Sequence, residues 1–329
     1  MLPNFLAFFV AFFIVVLAGP AFIRALQKWQ VGQVIRKEGP ESHYNKKGTP
    51  TMGGLLILLS MIISCLLFAN LHNPLVLGSL ATLILFGAIG FYDDYKKLIL
   101  KHSKGLASKW KYFWQSVFAI ALAVWLFIHL QTEGLPTALI IPFMHGYALP
   151  LSTGVFIFLA YFTLAGGSNA VNLTDGLDGL AILSVLLVTL GFTVILAFKT
   201  TFPAETYGLL PVLSALLGSG LGFWWLNGFP ALLFMGDVGA LALGAFLAFI
   251  AVSIRAELFL GIMGMIFVIE TLSVILQVGS FKFRNKKRIF RMAPIHHHFE
   301  LCGWPEPRVV ARFSIITALF VVLAVYAFL

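Results

Sequence analysis

Five aspartates define the chemistry open to this sequence. Asp93, Asp94, Asp175, Asp178 and Asp237 are the only ones in 329 residues, and each falls where a long apolar run ends, in the third, fifth and seventh connections, on the odd-numbered face that also carries most of the basic residues. Carboxylates close to hydrocarbon are costly and usually mark a functional path. Gathered among bases, they suit a divalent cation that neutralises a phosphorylated substrate. Asp93 and Asp94 close the run Phe91-Tyr92-Asp93-Asp94-Tyr95. Neighbouring helical side chains diverge by about 100°, so the pair is expected to divide its work, one toward a cation or basic partner and one toward substrate.

The stretch Asn169-Ala-Val-Asn172-Leu-Thr-Asp175-Gly-Leu-Asp178-Gly179 repeats a polar residue every third position, a spacing that puts neighbours on one helical face. A strict helix would nevertheless turn Asn169 and Asp178 apart. Gly176 and Gly179 are therefore read as a break that returns them to one pocket, where amides and carboxylates suit a nucleoside or hydrated Mg²⁺. Asp237 lies between Gly236 and Gly239 at a predicted helix start. It can cap free backbone donors, or hold Mg²⁺ against a diphosphate at the helix N-terminus. In the same connection, which begins at Asn227, Phe234 is a candidate to stack on a base or simply to pack.

His296, His297 and His298 form the only histidine cluster. Cys65 and Cys302 lie too far apart in sequence to complete a zinc quartet, so the histidines are read as donors to phosphate oxygens. Lys46 to Gly54 is glycine-rich, but no G-x-x-x-x-G-K-[ST] occurs in the chain, which argues against a P-loop nucleotidase. Exchange of one phosphoanhydride for another needs no such motif.

The elements that hold these residues belong to a membrane. Sixty per cent of the chain is hydrophobic, 11% is charged and the mean hydropathy is +0.97, whereas soluble domains carry about 25% charged residues. Lipid requires every backbone polar group to be paired within its own segment, so continuous apolar runs predict helices, not barrel strands. The expected fold is all-α, one domain over 1–329, with about ten transmembrane helices. They are placed at about 4–25, 51–70, 75–92, 113–131, 152–171, 180–198, 208–226, 238–254, 258–280 and 311–328. The first is read as a permanent span because no basic stretch precedes it and no cleavage pattern follows. Residues 132–150, rich in Gly and Pro, are expected to form an external hairpin, and 281–310 a basic cytoplasmic loop carrying the histidines. Twenty of the 22 Lys and Arg fall in the first, third and ninth connections. The positive-inside rule then puts these connections in the cytoplasm, both termini outside and the active site on the cytoplasmic face. This distribution also accounts for the net charge of +9 without a nucleic-acid partner.

With these segments assembled, the chain resembles the phospho-N-acetylmuramoyl-pentapeptide transferases of the polyprenyl-phosphate N-acetylhexosamine-1-phosphate transferase superfamily. The resemblance rests on Gly48-Thr-Pro-Thr-Met-Gly-Gly54, Asp93-Asp94, Asn169 to Gly179, Gly236-Asp237 and Pro294-Ile-His-His-His-Phe299, in family order along nearly the whole chain. It implies Mg²⁺-dependent transfer of phospho-MurNAc-pentapeptide from UDP-MurNAc-pentapeptide to undecaprenyl phosphate, giving lipid I and UMP, in a bacterial cytoplasmic (inner) membrane and as a homodimer. It also implies residue roles. Asp237 is the metal ligand, and Asp93 and Asp94 sit beside the lipid phosphate, with Asp93 as base or phosphate-orienting group. Asn172, Asp175, Asn227 and Phe234 lie on the uridine side, with Asn169 opening the same segment. Asp178, Lys46, Lys97, Lys111 and His296 to His298 line the phosphate path. Two other readings compete: a sister enzyme that uses UDP-GlcNAc, disfavoured by the Pro294–Phe299 string, and a secondary transporter. A transporter would hold its ionisable groups near mid-membrane, and these gather at one face.

Overall fold

The computed structural model describes residues 1–28, 46, 48–98, 100, 105–144, 147–284 and 286–329. Arg36, Lys37, Lys47, Lys101 and Lys104, used above for sidedness, lie outside the described residues. The helices are α1 (Leu2–Lys28), α2 (Gly54–Phe68), α3 (Pro74–Leu98), α4 (Ser108–Thr132), α5 (Thr153–Thr174), α6 (Leu180–Phe198), α7 (Leu209–Asn227), α8 (Gly236–Ser253), α9 (Glu257–Met263), α10 (Met265–Phe283), α11 (Ile295–Leu301) and α12 (Glu306–Phe328). Among the described residues, nine helical segments are long and apolar enough to cross a bilayer. The protein is an all-α polytopic membrane protein. Large apolar side chains such as Leu17, Trp225, Leu319 and Val322 stand exposed on its flank, as a surface solvated by lipid requires.

Two expected spans differ from their predicted form. The 51–70 span is the 15-residue α2, short of the roughly 20 residues a bilayer needs. Its first residues are diverted into backbone pairing. Gly53 and Gly54 donate to the carbonyls of Phe234 and Met235 at 2.8 Å each, and Phe234 donates to Pro50 O at 2.8 Å. The 258–280 span is two helices, α9 and α10, meeting at Gly264. The Gly264 N–H still reaches Leu260 O at 2.8 Å and its carbonyl still accepts from Val268 at 3.1 Å, so the junction is a bend with its hydrogen bonds kept.

At the centre stands α8, buried along its whole length from Val238 to Ser253. Its Gly- and Ala-rich sequence lets neighbours approach to backbone contact, the usual solution where helices pack without a hydrophobic drive between them. A Cβ on Gly54 of α2 would lie 2.2 Å from Gly239 N, and one on Gly90 of α3 would lie 2.2 Å from the Asp237 carbonyl. The second contact fixes the site. With Gly90 pressed against the first turn of α8, Asp93 and Asp94 one turn further along α3 come alongside Asp237.

Within 132–150 the chain makes a two-stranded antiparallel ladder, β1 (Ala138–Ile140) and β2 (Ala148–Pro150), with Leu139 opposite Leu149. This hairpin follows the end of α4 opposite Lys111. At that end the short turn Ala204–Gly208 is tied in by Asn73 Nδ2, which donates to Glu205 O at 2.6 Å, and by His129 Nε2, 3.1 Å from Glu205 Oε1.

Candidate active site

Four helix ends build one polar cluster. Lys97 stands one turn beyond Asp93 on α3, Lys111 lies in the first turn of α4, Asn172 in the last turn of α5 and Asp237 in the first turn of α8. Asp237 Oδ2 accepts from Lys97 Nζ at 2.9 Å and Lys111 Nζ at 2.8 Å, while its Oδ1 accepts from Asn172 Nδ2 at 2.8 Å. Asp93 Oδ1 takes the Leu106 N–H at 2.6 Å. Its Oδ2 pairs with Lys97 and lies 4.0 Å from Lys111 Nζ.

Asp94 has a different task. Its Oδ2 accepts the Val238 N–H at 3.1 Å, so the first turn of α8 is capped by a carboxylate from α3, and the capping role considered for Asp237 falls to Asp94. Gly236 makes room for this: it holds φ +74, and a Cβ there would meet Asp94 Oδ2 at 2.6 Å. Asp93 thus meets the basic partners expected of one member of the pair, while Asp94 holds a backbone N–H instead of facing substrate, and both keep an oxygen close to Asp237.

Asp93, Asp94 and Asp237 each offer one oxygen, and these oxygens lie within 4.8 Å of one another. Three carboxylates against two ammoniums leave the cluster acid-rich. An all-oxygen donor set of this kind fits a hard divalent cation. The residues present therefore suit a metal ion.

Between α5 and α6 the chain breaks at Asp175–Gly179. Asp175 terminates α5, and burial together with the charges of Asp237 and Asp178 pushes its carboxyl up to about 7. Asp178 is fully engaged. Its Oδ1 pairs with Lys46 Nζ at 2.6 Å, its Oδ2 accepts the Ala231 N–H at 3.0 Å and its own N–H donates to Glu306 Oε1 at 2.7 Å. Asn227 holds the other side of the break: Oδ1 accepts the Gly179 N–H at 3.0 Å and Nδ2 donates to Leu233 O at 2.8 Å. Phe234, half-buried, is fixed by the backbone pairing with Pro50 and Gly53 described above.

The three histidines lie on the short α11 and point three ways. His296 is buried, with Nδ1 3.1 Å from Glu270 Oε1, and its ring presses on Gly176, where a Cβ would meet Nε2 at 2.2 Å. His297 Nδ1 lies 2.8 Å from Glu300 Oε2. His298 Nδ1 accepts the Arg291 N–H at 3.1 Å. Through His296 the ninth connection rests directly on the break beside Asp175.

Asn169 is not brought to this cluster. It pairs across α4 and α5 with Gln115, donating at 3.1 Å, and bonds Ala165 O at 2.8 Å. Sequence reasoning overlooked Glu270, Glu306 and Gln115. Glu270 and Gln115 carried a readable signal, a charged or amide side chain inside a predicted span; Glu306 was hidden among the bases of the ninth connection. A second group of possible ligands, His129, Glu133 and Glu205, has its donor atoms within 4.8 Å at the opposite end of the bundle. There the His129–Glu205 pair serves as the joint between α4 and the Ala204–Gly208 turn.

Two comparisons with known proteins bear on this site. A family model described as glycosyl transferase family 4 matches residues 76–255, more than half of the chain, and takes in Asp93, Asp94, Asn172, Asp175, Asp178 and Asp237. A phospho-N-acetylmuramoyl-pentapeptide-transferase signature matches residues 46–58, the stretch from Lys46 into α2.

Proposed function

The chain belongs to glycosyl transferase family 4, and on that premise we propose how its residues divide the work. The enzyme is a phosphoglycosyl transferase that moves phospho-MurNAc-pentapeptide from UDP-MurNAc-pentapeptide to undecaprenyl phosphate, forming lipid I and releasing UMP. One phosphoanhydride P–O bond forms to the lipid phosphate and one breaks to UMP. The chemistry is therefore chiefly positioning and neutralisation of charge on the transferring phosphoryl group.

The convergence of Asp93, Asp94 and Asp237 with Lys97 and Lys111 carries our placement of the reaction centre. Asp237, with Asp93 and Asp94, would hold Mg²⁺. When bound, this ion supplies charge neutralisation to the phosphoryl oxygens. Lys97 and Lys111, already at the carboxylates, supply further positive charge to the two phosphorylated partners. Asp93, fixed by Leu106 N–H and Lys97, orients the attacking lipid phosphate. Asn172 and Asp175 stand on the donor side, and Asn227 keeps the connection that carries Phe234 in place against that side for the uridine. Lys46, Asp178 and the α11 histidines flank the path of the donor phosphates. The Lys/Arg bias of the connections supports a cytoplasmic position for this end; a bacterial inner membrane and a homodimeric working unit are inferred from the family resemblance alone.

The test is release of UMP by purified protein given UDP-MurNAc-pentapeptide, undecaprenyl phosphate and Mg²⁺. Release is expected with this donor, with negligible release from UDP-GlcNAc. Release from UDP-GlcNAc alone would overturn the substrate assignment, and undiminished release after Mg²⁺ is removed with a chelator would overturn the metal placement.

A further inference from the structure

Glu306 lies outside every motif that pointed to the active site, yet one of its oxygens joins two connections of the site. Its Oε1 accepts from Lys46 Nζ at 2.6 Å and from the Asp178 N–H at 2.7 Å. Asp178 in turn holds the same Lys46 Nζ at 2.6 Å through Oδ1 and the Ala231 N–H at 3.0 Å through Oδ2. The first, fifth, seventh and ninth connections thus meet at one buried group: Asp178 is 4% and Glu306 8% exposed. Glu306 occupies the first turn of α12, between Pro305 and Pro307, where the helix dipole favours a negative charge. Hydrogen bonds that involve charged groups are the strong ones, and leaving a buried member unpaired is costly. The joint is therefore rigid.

What it holds is the break after α5. Asp178 N–H is taken by Glu306 and Gly179 N–H by Asn227, so the turn that carries Asp175 cannot rotate without losing both. We propose that Glu306 is a positioning residue for the nucleotide-sugar donor: it sets Lys46 and the Asp175–Gly179 break in the arrangement that receives the donor phosphates. This rests on the reading that Lys46 and Asp178 flank those phosphates. A hinge that was merely structural would cost stability and affect both substrates alike. A positioning residue on the donor side affects one.

The experiment compares Glu306→Gln, Lys46→Met, Asp178→Asn and the Glu306→Gln/Lys46→Met double variant in purified full-length enzyme. It measures KM for UDP-MurNAc-pentapeptide, KM for undecaprenyl phosphate and thermal unfolding. Gln keeps a neutral acceptor for the Asp178 N–H and so spares the fold, while weakening the grip on Lys46. The donor KM of Glu306→Gln is expected to rise about tenfold, equivalent to about 1.4 kcal/mol, with the lipid KM within about twofold of wild type. The double variant should be no worse than the worse single variant, because both changes break one joint. An unchanged donor KM in Glu306→Gln, with Lys46→Met and Asp178→Asn raised, would overturn the inference and leave the donor path standing. Equal rises in both KM values with a lowered melting temperature would reduce Glu306 to a structural brace and also overturn it. Unchanged donor KM in Lys46→Met and Asp178→Asn would instead overturn the donor path, and the inference with it.

Discussion

At Asp237 two ammoniums and one amide converge on a single carboxylate, so its removal leaves Lys97, Lys111 and Asn172 without their common partner. Asp237→Ala and Asp94→Asn are each expected to lower turnover by about tenfold or more, in the range seen when charge stabilisation is lost at a phosphoryl centre; UMP release by folded protein measures it. Asp175 gives a prediction of opposite kind. With its carboxyl held at about 7 in the fold and near 4 when unfolded, the folded state binds the extra proton between those values. Stability should therefore fall as pH rises from about 4 through 7. Asp175→Asn abolishes that proton uptake, so its melting temperature should fall less over this window and exceed that of wild type at pH 8. A steeper fall in the variant would contradict the burial argument. The polar residues of the site were legible singly, because acids and amides at the ends of apolar runs stand out locally. Their partners were not. Lys46 meets Asp178 across 132 residues and Glu306 across 260, and no local pattern encodes such pairings.

At the scale of elements, the close approach of α3 to α8 decides the geometry. Gly90 faces the Asp237 carbonyl at a distance no side chain tolerates. Gly90→Ala should therefore force the helices apart, cost about 1–3 kcal/mol as overpacking does, and abolish activity through the displaced Asp93 and Asp94. Thermal unfolding and UMP release together check this; normal activity at normal stability would show that the contact is not a constraint. Hydropathy placed most spans well because it reads side-chain polarity. It missed the start of α2, which depends on backbone hydrogen bonding, and the α9–α10 bend at Gly264, where the backbone hydrogen bonds are kept. Thr51 to Gly53 are apolar enough for a span, yet Gly53 and Gly54 spend their N–H groups on Phe234 and Met235. Gly264 interrupts an unbroken apolar run that no composition rule would divide. The histidines show a similar limit: sequence gives their cluster but not their partners, which are Glu270 for His296 and the Arg291 N–H for His298.

For the whole molecule, the polar cluster occupies one end of the bundle and the β1–β2 hairpin lies beyond the other. Cys302, exposed in the ninth connection, and Cys65, buried within α2, provide a native probe of sidedness. A membrane-impermeant maleimide should label Cys302 in inverted vesicles and leave it unlabelled in intact cells. Labelling from outside would reverse the orientation and detach the site from a cytoplasmic nucleotide donor. Most direct for the reaction centre is the binding of Mn²⁺, as a paramagnetic substitute for Mg²⁺, to purified enzyme followed by electron paramagnetic resonance. One tightly held ion per chain is expected in wild type and in Asp178→Asn, with affinity at least about tenfold weaker in Asp237→Ala, since loss of a single charged ligand costs more than about 1.4 kcal/mol. Undiminished Mn²⁺ affinity in Asp237→Ala would contradict the assignment of the three converging carboxylates as the metal centre.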